Sequence, residues 1–109
     1  MKMKKLAAMA LAGTLAAAPV MADLVIPDLS YRTGPYAAGG TPFSDGYQDY
    51  FNLLNASDGG IGGEPIRIVE CETGDNTEKG VECYESTKGE GALIYQPLST
   101  GITYQLIPK

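Results

Sequence analysis

The period of the apolar positions switches repeatedly along the chain, and each switch marks a predicted element. Leu24 to Leu29 is short, apolar and partly β-branched, and Tyr31-Arg32-Thr33-Gly34-Pro35-Tyr36 then carries turn residues. This predicts a first strand and its loop, which Ala37 to Gly40 extends. Thr41 stands where an N-cap belongs, with Pro42 at the first helical position. From there Phe43, Tyr47, Tyr50, Phe51 and Leu54 recur at helical spacing, while Ser44, Asp45, Gln48, Asp49 and Asn52 take the other face. An amphipathic helix ending near Asn55 is expected, its aromatic stripe packed against a sheet. Core packing is a commoner use of such a stripe than a cofactor box.

Ile66 to Cys71 predicts a second strand, and its lack of strict alternation suits one covered on both faces. Asp75-Asn76-Thr77-Glu78 supplies cap-type residues and an acidic first turn for a second helix running to about Lys88. Val81 and Tyr84 carry its thin inner face, with Cys83 at the edge. Gly89-Glu90-Gly91 breaks the chain, Ala92 to Tyr95 reads as a third strand, and a loop from Gln96 to Gly101 leads into a third helix over Ile102 to Ile107.

The glycines of Asp58-Gly-Gly-Ile-Gly-Gly-Glu-Pro65 invite a phosphate-loop reading, which requires them to follow a strand and open a helix. Here the order is reversed. They close a helix and introduce a strand, so they are expected to terminate the helix and turn the chain. Strand, helix, strand, helix, strand, helix is the order of an α/β fold with a parallel sheet and right-handed crossovers. Three strands leave sheet edges and helix faces uncovered, which predicts that residues 23–109 are the N-terminal part of a larger domain.

Residues 1–22 form a separate object. Lys2, Lys4 and Lys5 make a basic start, Leu6 to Ala17 an apolar run, and Val20-Met21-Ala22 a small-x-small cleavage site. This is the pattern of a secretory signal peptide cleaved after Ala22, and the apolar run is too short for a transmembrane helix. With no cysteine beside the cut, a soluble periplasmic product is expected. Cleavage leaves five of the eight basic residues against thirteen acidic ones, a net charge near −8. Nucleic acid is therefore excluded as an expected partner, since duplex binding depends on clustered Lys and Arg.

Export also puts Cys71 and Cys83, the two cysteines of the chain, in an oxidising compartment. A disulfide is the first reading, and it would contribute on the order of 3 kcal/mol in the chain-entropy picture. A metal site is a weaker rival, because the chain has no histidine and two thiolates do not complete a zinc shell. Catalytic thiol chemistry is weaker still, since the spacing is not Cys-x-x-Cys and no histidine is present as a base.

Ligands of open parallel sheets bind beyond the C-terminal ends of the strands. Two predicted loops lie there: Tyr31 to Tyr36, where Tyr36 could stack and Arg32 could pair with an anion, and Gln96 to Thr100, where Ser99 and Thr100 offer hydroxyls suited to a carboxylate. A Ser or Thr after a strand is also an ordinary N-cap, and the pattern alone leaves both readings open.

At these residues a resemblance appears. The exported start, Thr33-Gly34-Pro35-Tyr36-Ala37 after the first strand, Gly59-Gly60-Ile61-Gly62-Gly63 after the helix, the strand Ile66 to Glu70 and the loop Pro97-Leu98-Ser99-Thr100-Gly101 together resemble the beginning of a periplasmic substrate-binding protein of the leucine/isoleucine/valine-binding type. The resemblance implies the type I periplasmic binding protein fold, with this chain as the N-terminal part of its first α/β lobe. It further implies a component of an ABC importer that closes around an amino acid or amide and presents it to a membrane permease, without cofactor, metal or covalent chemistry. Ser99 and Thr100 fall where the family holds the ligand's carboxylate, and Tyr31 and Tyr36 where it lines the cleft. The family's ammonium contacts would fall largely beyond residue 109. Gln96-Pro97 departs from the Gly-Pro common in the family. Two other classes remain as alternatives: a ligand-sensing regulator or receptor domain on the same fold, and a secreted hydrolase, for which no nucleophile and base pair is visible.

Overall fold

The computed structural model describes residues 22–109, so the predicted signal peptide lies outside the described residues apart from Ala22. Strand β1 runs over Leu24–Ser30, helix α1 over Ala37–Asp58, strand β2 over Ile66–Glu72, helix α2 over Thr77–Thr87 and helix α3 over Thr100–Leu106. β1 and β2 pair in parallel from Leu24 beside Ile66 to Ser30 beside Glu72. The architecture is α/β, as the order of patterns predicts.

Alternation along β1 divides the fold into two layers. Leu29 joins Cys83 and Ile102 in a buried cluster beneath α2 and α3, with Cys71, Tyr95 and Leu106 packed around it. Cys71 and Cys83 form the disulfide, their Cα atoms 5.7 Å apart. Cys83 thus lies at the centre of the inner face of α2 rather than at its edge. Gly80 lets α3 come close, since a Cβ there would sit 2.6 Å from Ile102 Cγ1. On the opposite face Asp28 and Ser30 are fully buried beneath α1.

Helix α1 begins at Ala37, four residues before the expected Thr41 cap, and Pro42 lies inside it. Tertiary contact explains the early start. Gly40 is buried against Tyr31, where any Cβ would overlap the Tyr31 carbonyl and ring. The helix docks through Gly40, Ser44, Gln48 and Asn55, and Asn55 clamps the start of β2 by donating to Ile66 O (2.7 Å) and accepting from Ile66 N (2.8 Å). The aromatic stripe is therefore turned by one residue, about 100°, from the docked line. Phe43 and Tyr50 remain 44% and 58% exposed, and the rings pack on one another along the helix instead, Tyr47 meeting Phe51 edge to face at 5.0 Å.

The glycine cluster turns the chain as expected. Gly59 caps α1 in the left-handed region (φ 70°) and its amide returns to Leu54 O. Asn76 is the N-cap of α2, its side chain accepting from Lys79 N at 2.9 Å, and Ser99 caps α3.

The expected third strand does not form over Ala92 to Tyr95. Leu93 is 89% exposed, and contact with the sheet is confined to a parallel bridge between Asp28 and Gln96. Proline chemistry supplies the reason. Leu24 N–H points to β2 (Pro65 O, 2.8 Å), whereas Leu29 N–H points the other way, to Gln96 O at 3.0 Å, and Gln96 N–H reaches Pro27 O at 3.1 Å. The preceding rung of that ladder needs an N–H from residue 27, and proline has none. β1 therefore keeps full pairing on the β2 side and a single rung on the other.

Candidate functional site

Beyond the C-terminal ends of β1 and β2 three loops converge on one concavity of about 320 Å³. Tyr31 and Tyr36 line it from the β1–α1 loop, Asp75 from the β2–α2 loop, and Leu98 to Gly101 from the approach to α3. The four residues singled out from sequence as ligand candidates, Tyr31, Tyr36, Ser99 and Thr100, are thus brought together. A wider hollow of about 560 Å³ adjoins it, sharing Leu98, Ser99 and Thr100 and extending to Gln96 and Tyr104.

Each wall is positioned by its own device. The Tyr31 and Tyr36 rings meet edge to face with centroids 6.5 Å apart, the geometry that aromatic quadrupoles prefer. Tyr31 is held from behind by its seat against Gly40, so the start of α1 and the aromatic wall are fixed together. Ser99 Oγ accepts from Ile102 N at 3.4 Å. The N-cap reading of Ser99 is therefore satisfied, and its hydroxyl still retains a proton to donate and a second lone pair.

Glu72 at the end of β2 ties two of the loops together. Its Oε1 accepts from Arg32 N (2.9 Å), Thr33 N (3.1 Å), Thr33 Oγ1 (3.1 Å) and Gly74 N (2.8 Å). Burial alone would raise this carboxyl's pKa, but the backbone amides of Gly74, Thr33 and Arg32 outweigh it and hold the group below its ordinary value. Nothing in the sequence pattern marks Glu72 as such a brace, because Arg32 and Thr33 lie some 40 residues upstream.

Arg32, expected as a possible anion partner, is committed elsewhere. Its Nη1 donates to Asp45 Oδ1 at 2.7 Å and its Nε to Glu70. Those bonds raise its already high pKa and draw the side chain onto the α1 face of the sheet. It braces β1 against β2 and α1 and does not line the concavity.

Asp75 is the residue that sequence reasoning missed as a site member, using it only as a cap-type residue. Its available signal was position, directly after Gly74 at the ligand end of a parallel strand. It is also the one non-glycine residue with positive φ (59°) among the described residues. No cluster of three or more His, Cys, Asp or Glu side chains suited to a metal ion occurs among the described residues.

Loops from successive strands meeting over the strand ends of an α/β lobe occupy the place where open parallel sheets bind their ligands. The profile of the periplasmic binding protein family matches residues 23–108, and the chain belongs to that family. It is similar to a crystal structure described as an ABC transporter permease from the Pseudomonas fluorescens group, with 39% identity and a TM-score of 0.72. That match covers 78% of this chain and 21% of the solved one, so the chain spans about a fifth of the length of its structural relative. No curated protein matches. No helix among the described residues is long and apolar enough to cross a membrane.

Proposed function

We propose that the protein is the solute-binding component of an ABC importer, taking up a branched-chain amino acid or a related amino acid or amide in the periplasm and delivering it to a membrane permease. Family membership supports the class, and the solved relative's ABC transporter context supports the partner. One observation carries the assignment of the site: Tyr31, Tyr36, Ser99 and Thr100, from loops far apart in sequence, line one concavity at the strand ends. The tyrosines supply an apolar, stacking wall, and Ser99 and Thr100 supply hydroxyls for a carboxylate or amide. Binding is then a matter of hydrogen bonds and desolvation, with no covalent step. Export by the residue 1–22 signal and cleavage after Ala22 belong to the same reading.

Isothermal titration calorimetry of the two-lobed protein that this reading requires, with residues 23–109 as the start of its first lobe, against a panel of amino acids and amides tests it. At least one member should bind with a dissociation constant at or below the micromolar range, and Tyr36→Ala should weaken that binding about tenfold or more. If every small amphipathic solute fails to bind, the reading fails.

A further inference from the structure

Resting on that reading of the concavity, we propose that Asp75 selects the solute by charge, so that the Tyr31, Tyr36 and Asp75 end of the cavity receives an ammonium group. Four observations converge. Asp75 lines the same space of about 320 Å³ as both tyrosines. No lysine or arginine lines that space, and Arg32, adjacent in sequence to Tyr31, is bound to Asp45 and Glu70. Asp75 enters no ion pair among the described residues. A carboxylate beside two aromatic rings, without a protein cation, is the constellation that attracts a cationic ligand, because ring faces and carboxylate act on it in the same direction.

The ordinary structural reasons for an aspartate at this position are already taken by neighbours. Asn76, not Asp75, caps α2 through its side chain. The loop itself is fixed by Thr73, whose Oγ1 donates to Ser30 O at 2.9 Å and accepts from Asp75 N at 3.1 Å. Glu72 accepts from Gly74 N at 2.8 Å. Asp75 also adopts φ 59°, where glycine would be less strained. The Asp75 backbone is therefore held by Thr73, while its carboxylate serves neither the loop nor an ion pair among the described residues and stays available to a ligand. The ligand class that follows is a zwitterion or amine with a small apolar body. Simple carboxylic acids of the same shape are repelled.

The test uses the two-lobed protein of the proposed reading and three probes of one carbon skeleton: leucine, 3-methylbutan-1-amine and 4-methylpentanoate, each titrated by calorimetry at neutral pH. The unaltered protein should bind leucine, and the amine in turn, at least tenfold more tightly than 4-methylpentanoate. Asp75→Asn, which keeps a residue tolerant of positive φ, should weaken both ammonium-bearing probes about tenfold or more while leaving 4-methylpentanoate unchanged or improved. Asp75→Gly should behave alike, and it decides the matter if the asparagine variant does not fold. Ammonium-probe affinities within twofold of the unaltered protein, or a preference for 4-methylpentanoate, overturn the charge assignment while leaving solute binding intact. Failure of all three probes to bind the unaltered protein overturns the charge assignment and the amino acid reading together.

Discussion

Beneath α2 and α3 the sheet offers Leu29 and Cys71 to Cys83 and Ile102, while beneath α1 it offers Asp28, Ser30 and Glu70 to Ser44, Gln48 and Arg32. One face is held by apolar burial and a covalent bridge, the other by hydrogen bonds and charge. Ser30 Oγ, Gln48 Nε2 and Arg32 Nε all donate to the Glu70 carboxylate, the first two at 2.7 Å. Apolar contact tolerates small shifts, whereas a charged network fixes direction. The difference teaches where rigidity for the candidate site comes from. The apolar face anchors α3 and hence Ser99 and Thr100, and the polar face anchors α1 and hence the Tyr31 to Tyr36 loop.

The largest effects are expected on the apolar face. Ile102 is fully buried over Gly80, so Ile102→Ala should cost about 2–5 kcal/mol through lost transfer energy and the cavity left behind. Denaturant unfolding with an unchanged m-value would read this as stability alone. Removing the bridge by a Cys71→Ser and Cys83→Ser double replacement should cost about 2–4 kcal/mol, with alkylation and mass spectrometry first checking that the native thiols are paired. Because Ile102 packs on Cys83 in one cluster, the two losses should not add. Strict additivity would show that the apolar face is two independent contacts and not one core.

What was legible in the sequence divides along the same line. The α2 and α3 layer rests on local signals: cap residues Asn76 and Ser99, and two cysteines whose pairing was the first reading. Local chemistry can be read from neighbours in sequence, and these features appear where expected. The α1 layer depends on contacts made across the fold. Gly40 against Tyr31 starts the helix earlier than a Thr41 and Pro42 cap predicts, and the docked line of Ser44, Gln48 and Asn55 defeats the aromatic stripe as a guide to the core. Pro27 was in plain view, but its effect on the third strand needs the register of β1 to be known. At the candidate site Tyr31, Tyr36, Ser99 and Thr100 were legible from fold position, whereas Asp75 and the Glu72 brace required three loops to be seen together.

A smaller effect is expected from Glu70→Gln, which keeps the shape and removes the charge that Arg32, Gln48 and Ser30 share. Hydrogen bonds to a charged group typically contribute about 1.5–3 kcal/mol, and the half-exposed setting of this network places the loss at the lower end. Burial pulls the Glu70 carboxyl's pKa upward, but bonds from Arg32, Gln48 and Ser30 hold it below its ordinary value, and Glu72 is lowered likewise. For groups lowered on folding, stability is fully present above the unfolded-state pKa and is lost as the pH falls through the folded one. Urea midpoints should therefore decline below about pH 4.5, and Glu70→Gln should shallow that decline. An unchanged acid profile would show that the network does not hold this face.

Asp28 works in the opposite sense and gives the finest test of the comparison. It is fully buried on the α1 face, and neither carboxylate oxygen has a hydrogen-bond partner, nor does the buried Ser44 hydroxyl. Desolvation by burial is the main cause of its raised pKa; contacts to Gln48 and Ser44 oppose it, and the Glu70 charge adds to it. A carboxyl raised on folding favours the native state most when protonated, so its contribution is greatest below the ordinary value and declines as the pH rises through the folded pKa. Asp28→Asn is neutral at every pH and can donate to Ser44 Oγ. It should stabilise the protein by about 1 kcal/mol at pH 7, in the range of one relieved unsatisfied group, and the gain should shrink toward zero in acid. Tyr47, whose pKa is raised by burial and by the Asp28 charge, offers an internal check, because spectrophotometric titration of its phenol should shift downward in the Asp28→Asn variant. Destabilisation at pH 7, with the Tyr47 titration unmoved, would mean that Asp28 is paired by a group outside this face, and the reading of the α1 face as a charged network carrying one unpartnered carboxyl would fall.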